Sequence, residues 1–193
     1  MSLVSSNTSL LVMDVQTGIV ERFASEADEL LGALTRATTA ARSSAIPVIY
    51  VRVAFRPGFS EVSSRNKAFS AIAISAGFSD DDTATQIHPA VAPQSGDIVV
   101  LKKRVSAFTG SDLDVVLRSL EIDSLVLTGI ATSGVVLSTL RQAADLDYAI
   151  TVLSDACTDG DAEVHRVLME KIFPRQASVL TTEEWARGLA SSS

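Results

Sequence analysis

Short, almost wholly apolar runs recur along the chain at residues 9–13, 47–53, 98–101, 124–128, 149–153 and 178–180. They lack the apolar–polar alternation of a strand with one wet face, so both faces of the sheet they form are expected to be covered. Helical spacing fills most of the intervals. Ser25 followed by Asp28 resembles a capping signal, after which Leu30, Leu34, Ala37 and Ala41 line one face, and Pro47 marks the entry to the next strand. A second helix is expected to start near Ser111 and to bury Leu113, Val116, Leu117 and Leu120. A third, over residues 134–146, turns Val136, Leu140 and Ala143 inward, and a fourth, over 161–172, carries Val164, Val167, Leu168 and Ile172. Strands alternating with helices predict an α/β domain around a parallel sheet.

Residues 52–93 break this rhythm. Arg56-Pro57-Gly58 reads as a turn, 66–75 as a short helix and Asp80-Asp81-Asp82 as a solvated acidic loop. Such a long irregular insert in an α/β domain is commonly a wall or lid of the active site. No internal repeat divides the chain, so residues 1–193 are expected to form one domain, frayed at 191–193. Its 193 residues, 47% of them apolar, suffice for a substantial core.

Composition narrows the function. The 16 Lys and Arg against 23 Asp and Glu leave a net charge of −7, which argues against a phosphate-tracking nucleic-acid surface. No apolar run approaches the roughly 20 residues of a membrane span, and the first residues lack a basic and apolar leader pattern, so a cytoplasmic protein with no membrane partner is expected. A lone cysteine, Cys157, excludes an internal disulfide and a multi-thiolate zinc site. With only His88 and His165 besides, the chain has few nucleophiles or metal ligands to draw on.

In an open parallel sheet, ligands bind at the carboxyl ends of the strands. The polar residues that follow the apolar runs are Asp14, Arg52, Lys102, Asp155, and Thr128-Gly129 leading into Thr132-Ser133-Gly134. Taken singly, Asp14 and Lys102 read as a stabilising ion pair and Asp155 as a loop cap. Together they say more, because a carboxyl beside a lysine in a cleft sets up proton transfer next to a charge stabiliser. A helix starting at Gly134 would also present free backbone N–H groups to a developing anion.

Three ordered motifs carry a resemblance: Leu10-Leu11-Val12-Met13-Asp14-Val15-Gln16, Lys102-Lys103-Arg104-Val105-Ser106-Ala107-Phe108 and Gly129-Ile130-Ala131-Thr132-Ser133-Gly134-Val135-Val136. Over about residues 8–157 the chain resembles the isochorismatase-like family, or cysteine hydrolase superfamily. The resemblance implies a Rossmann-like three-layer fold with a six-stranded, mostly parallel sheet, and an Asp-Lys-Cys triad. The acid/base aspartate falls on Asp14 and the lysine on Lys102 rather than Lys103. The nucleophile's position falls on Gly134, which has no side chain to attack with.

Within that family, members resembling true isochorismatases also carry glycine there and hydrolyse a vinyl ether without a covalent intermediate. The resemblance therefore implies a hydrolase in which Asp14 protonates the enol-ether carbon of a small anionic substrate, which requires an apolar setting to offset the pKa-lowering effect of Lys102. Arg56 and Arg104 are the expected cationic anchors, with Ile130, Ala131 and Ser133 in the substrate-binding turn and a non-proline cis peptide between Ile130 and Ala131. Neither histidine sits in the metal motif of nicotinamidase-like members, so no metal and no cofactor are expected. Self-association, as a dimer or tetramer, is implied by resemblance alone. Two other readings stay open: an amide or carbamoyl hydrolase using Cys157 or water directly, and a non-catalytic binding or scaffold protein that kept the fold. Cys157 otherwise reads as a buried, inert residue, His88-Pro89 as a loop turn and His165 as the exposed side of a helix.

Overall fold

All six apolar runs form strands: β1 (Thr8–Met13), β2 (Val48–Val53), β3 (Ile98–Lys102), β4 (Ser124–Ile130), β5 (Ala149–Thr158) and β6 (Ser178–Leu180). The structure, a computed structural model, describes residues 7–23, 27–75 and 78–191. The capping signal expected at Ser25 and the fraying expected at 192–193 lie outside the described residues. The sheet has the order β3-β2-β1-β4-β5-β6 and every pairing is parallel, so the expected mostly parallel sheet is parallel throughout. β1 and β4 are buried along their whole length, their few polar residues, Thr8, Ser9, Ser124 and Thr128, included, as central strands of a sheet covered on both faces.

Helices cover both faces. On one side lie α2 (Ala27–Ser43), which buries Leu30, Leu34, Ala37 and Ala41, and α7 (Thr182–Ala190), which adds Trp185 and Leu189 to the same core. On the other lie α4 (Leu113–Ser119) and α5 (Leu137–Asp145), with Leu113, Leu117, Leu140 and Ala143 packed on the sheet. A short α1 (Thr17–Val20) follows β1, α3 (Lys67–Ser75) lies in the insert, and α6 (Ala162–Val167) follows β5.

Two apolar positions differ from expectation. Leu120 is 40% exposed because α4 stops at Ser119 and the chain turns at Glu121, whose φ is 55°, passing the burial on to Ile122. Val164 is 36% exposed because α6 gives way to a wider turn at Leu168–Ile172, and the inward positions become Leu168, Met169 and Phe173.

The chain runs outward from β1 through β2 to β3 and then returns to place β4 beside β1. That reversal opens a crevice at the carboxyl ends of β1 and β4, where a parallel sheet binds ligands. The insert closes its side, and Val53, Phe55, Phe69 and Phe78 form a small core of their own there.

Candidate active site

The crevice holds a cavity of about 330 Å³. Asp14, Lys102, Ile130, Ala131 and Gly134 all line it, so residues from three separate motifs meet at one place. The remaining lining is mainly apolar: Ile19 and Phe23 follow β1, Phe69, Ile72 and Phe78 come from the insert, and Val53, Val105 and Val135 complete it. The insert therefore supplies a wall, as its irregular pattern suggested.

Local structure fixes Asp14. It follows the last residue of β1 with a φ of 57°, a left-handed conformation that costs a non-glycine residue about 1–2 kcal/mol. Its N–H donates to the Val51 carbonyl at 2.8 Å, tying the turn to β2. Two residues on, the fully buried Gln16 brackets the turn: its Nε2 donates to the carbonyls of Val53 (2.9 Å) and Thr85 (2.7 Å), and its Oε1 accepts from the Val53 N–H at 2.8 Å. Gly129 makes the approach of β4 possible. A Cβ there would stand 2.0 Å from the Met13 carbonyl oxygen, and its φ is 130°.

Lys102 is 2% exposed and its Nζ meets three acceptors, Asp14 Oδ2 at 2.7 Å and the carbonyls of Val105 (2.8 Å) and Arg104 (3.1 Å). Three donors thus find three acceptors, and the ammonium is held in a fixed direction. Asp14 Oδ1, by contrast, is buried and has no hydrogen-bond partner among the described residues. Burial pushes the Asp14 carboxyl above the ordinary carboxylate range, with Lys102 pulling in the other direction. Lys103 is employed elsewhere, donating to the Ala54 carbonyl at 2.6 Å, which separates the two adjacent lysines as the motif spacing did.

Beyond β4, the Ile130–Ala131 peptide is cis. The chain then makes a turn over Thr132–Val136 that leads into α5, leaving helical torsion at Gly134 (φ −94°, ψ −105°). Three N–H groups of this turn are engaged: Gly134 and Val136 donate to the Ala131 carbonyl at 3.0 and 3.3 Å, and Ser133 to Asp159 Oδ2 at 2.6 Å. Ser133 is exposed and outside the cavity lining. A Cβ on Gly134 would meet only Ala131 Cβ, at the ordinary contact distance of 3.8 Å.

The two expected cationic anchors lie elsewhere. Arg56 is largely solvated (side chain 73% exposed) and paired with Glu61 at 2.8 Å. Arg104 donates to the carbonyls of Lys103 and Glu61 and lies over the Phe69 ring. Neither lines the cavity. Arg22 does, and sequence pattern gave no sign of it, because a lone arginine in a short 3₁₀ turn after α1 carries no periodicity or motif.

Several other expectations resolve in the same geometry. Cys157 is buried, its Sγ directed to the Leu127 carbonyl at 3.9 Å, and burial pushes its thiol up to about 12. It does not line the Asp14 cavity. Asp155 accepts from the N–H (2.7 Å) and hydroxyl (2.8 Å) of Thr182 at the start of α7, a capping role. Arg52 pairs with Asp80, which draws one member of the acidic loop out of pure solvation. His88 caps a turn, accepting from the Ala90 N–H at 3.3 Å. His165 is half-buried rather than exposed and bonds Thr132 Oγ1 at 2.8 Å, bracing the turn before α5; burial lowers its pKa while Asp159 opposes the shift. Among the described residues no helix is long and apolar enough to cross a membrane.

Comparison with known proteins agrees with this geometry. The isochorismatase domain model matches residues 8–184. An isochorismatase family protein of Escherichia coli O157:H7 is 33% identical over 93% of this chain and 95% of its own length. A ureidoacrylate amidohydrolase of Pseudomonas syringae pv. syringae is 30% identical over 91% of this chain and 77% of its own. Among solved structures, a cysteine hydrolase from Pseudomonas syringae pv. phaseolicola superposes with a TM-score of 0.89 at 26% identity, covering 97% of this chain and 94% of that one. With its parallel sheet, its crevice at the β1/β4 switch point and a family match over nearly its whole length, the chain belongs to the isochorismatase family of hydrolases.

Proposed function

We propose that this hydrolase cleaves a vinyl ether, or a related small anionic substrate, by acid catalysis from Asp14 with no covalent enzyme intermediate. The observation that carries the reading is the state of the Asp14 carboxyl: buried, shifted upward by desolvation and with Oδ1 unpartnered, in a cavity where Gly134 offers no nucleophile.

In this mechanism the protonated Asp14 gives its proton to the terminal carbon of the C=C–O group. The ether carbon becomes an oxocarbenium ion, water adds to it, and Asp14 takes back the proton that the water loses. The hemiketal collapses to a ketone and an alcohol, so one water is consumed for each C–O bond broken. Lys102 holds Oδ2 in place and, by its charge, stabilises the carboxylate left after Asp14 gives up its proton. The apolar walls keep the carboxyl from being solvated.

The ureidoacrylate amidohydrolase relative favours a second reading, hydrolysis of an amide or ureido bond. Here that route would run through water activated by Asp14. A Cys157 nucleophile fits poorly, because its thiol is protonated at neutral pH and lies off the cavity. A scaffold would be free to turn Asp14 and Lys102 away from any cavity, whereas both line one.

Incubation with isochorismate and other enolpyruvyl ethers, with pyruvate as the readout, and in parallel with ureido and amide compounds, with ammonia as the readout, separates the readings. Pyruvate release with no covalent adduct in intact-protein mass spectra is expected. Ammonia release alone would transfer the assignment to the second reading.

A further inference from the structure

Apart from the Asp14–Lys102 pair, the cavity's described lining offers one polar side chain, Arg22. No hydroxyl, amide or imidazole side chain is among the described lining residues. A substrate with several hydroxyls, or with two carboxylates, would leave polar groups without partners against Phe69, Ile72 and Phe78, at a cost that rises with each buried group. A body that is mostly carbon, bearing one anion, fits.

Arg22 is placed to receive that anion. It is exposed, whereas Asp14 and Lys102 are buried, so it stands at the mouth of the cavity and they at its floor. No carboxylate lies within ion-pair distance of it among the described residues. Its guanidinium lies over the Phe78 ring, 5.6 Å from the ring centre, a cation–π contact that uses none of its N–H donors. Of the other cations in or beside the insert, Arg52 pairs with Asp80, Arg56 and Lys103 with Glu61, and Arg104 with backbone carbonyls, while Arg65 and Lys67 do not line the cavity. Lys102 has no spare donor.

Taking the Asp14 cavity as the substrate site, we infer that Arg22 is its specificity-determining anchor and that the substrate is a monoanion, one carboxylate on a compact apolar body, which enters with its carboxylate on the Arg22 guanidinium, its reacting group presented to Asp14 and its apolar body against Phe69, Ile72 and Phe78. Among enolpyruvyl ethers this favours one whose alcohol part is apolar and uncharged over isochorismate, which carries two carboxylates and a hydroxyl. It also makes Arg22 responsible for charge selection, leaving the bond-breaking step to Asp14.

The test is a binding series that needs no knowledge of the true substrate. Benzoate, its neutral counterpart benzamide and the dianion phthalate are titrated calorimetrically into the wild-type chain, Arg22→Ala, Arg22→Lys and Asp14→Asn. Wild type is expected to bind benzoate more tightly than benzamide or phthalate. Arg22→Ala loses about tenfold or more for benzoate. Its benzamide affinity stays unchanged, which shows the cavity intact, and Arg22→Lys restores part of the preference. Asp14→Asn keeps the benzoate preference, so a failure of the hydrolytic reading and a failure of this one give different results. The inference is overturned by absence of benzoate binding at millimolar concentration, by equal affinity for benzamide, by tighter phthalate binding, or by a benzoate affinity that Arg22→Ala leaves unchanged.

Discussion

Replacing Lys102 by methionine isolates the energetics of the site. The substitution leaves the Asp14 carboxylate buried without its counter-charge and takes the shared donor from the carbonyls of Arg104 and Val105. Removing one member of a buried ion pair costs about 3–5 kcal/mol. Asp14 has an escape, however. Its carboxyl is already raised by burial, and without Lys102 the opposing pull disappears, so in the folded chain it takes up a proton more readily still. In the unfolded chain it titrates near the ordinary value of about 4. Between those two pKa values the folded state binds more protons than the unfolded one, so stability falls as pH rises. The contribution is complete below the unfolded pKa and is lost as pH climbs through the folded one. Lys102→Met should therefore lose about 1–2 kcal/mol at about pH 5, where mainly the carbonyl donors are missed. The loss should grow to about 3–5 kcal/mol at about pH 8. Urea unfolding followed by the fluorescence of Trp185, the only tryptophan and a buried one, reads this directly. The Lys102→Met/Asp14→Asn double variant should flatten the pH dependence, since asparagine tolerates the left-handed backbone and carries no charge. A loss below about 1 kcal/mol at alkaline pH, or one that does not change with pH, would refute the buried-pair reasoning.

Gly134→Cys should fold as the wild type does, because its Cβ meets only an ordinary contact, and the native protein should then take up one iodoacetamide adduct at a thiol lining the cavity. The wild type should take up none under the same conditions, because Cys157 is buried with its thiol pushed up to about 12, and its activity should survive the reagent. An adduct at Cys157 that abolishes activity would restore the thiol route. Gly129→Ala should cost about 3 kcal/mol or more, since its Cβ would overlap the Met13 carbonyl and its φ of 130° disfavours any side chain; an unchanged unfolding midpoint would remove the close approach of β1 and β4 from the account.

The strands were legible from sequence because their cause is local: six mostly apolar runs became six strands, although the edge strands β3 and β6 are only partly buried and Val99 is 46% exposed. β5 ran longer than its apolar pattern, to Thr158, because Ser154 and Asp155 interrupt the pattern while the ladder with β4 continues past an irregularity between Leu127 and Gly129. The helix at Thr182–Ala190 was missed although its signal was present: Thr181 and Glu184 form a capping box, ahead of the buried Trp185 and Leu189. Asp14, Lys102 and Gly134 could be found because motifs at strand ends mark them. Arg22 could not, since its relevance arises when the insert folds back and sets Phe78 beside it. Arg56 and Arg104 were the anchors that sequence suggested, and the folded chain commits them instead to Glu61 and to backbone carbonyls.

The central claim is that Asp14 works as a general acid. The most direct measurement is the pH dependence of pyruvate release from an enolpyruvyl ether, compared between the wild type and Asp14→Ala. Because burial raises the carboxyl's pKa, the wild-type rate should be highest at low pH and fall as pH rises through that elevated value, where the proton to be donated is lost, and Asp14→Ala should show no enzymatic release at any pH. Full activity in Asp14→Ala, or a wild-type rate that climbs with pH, would contradict it.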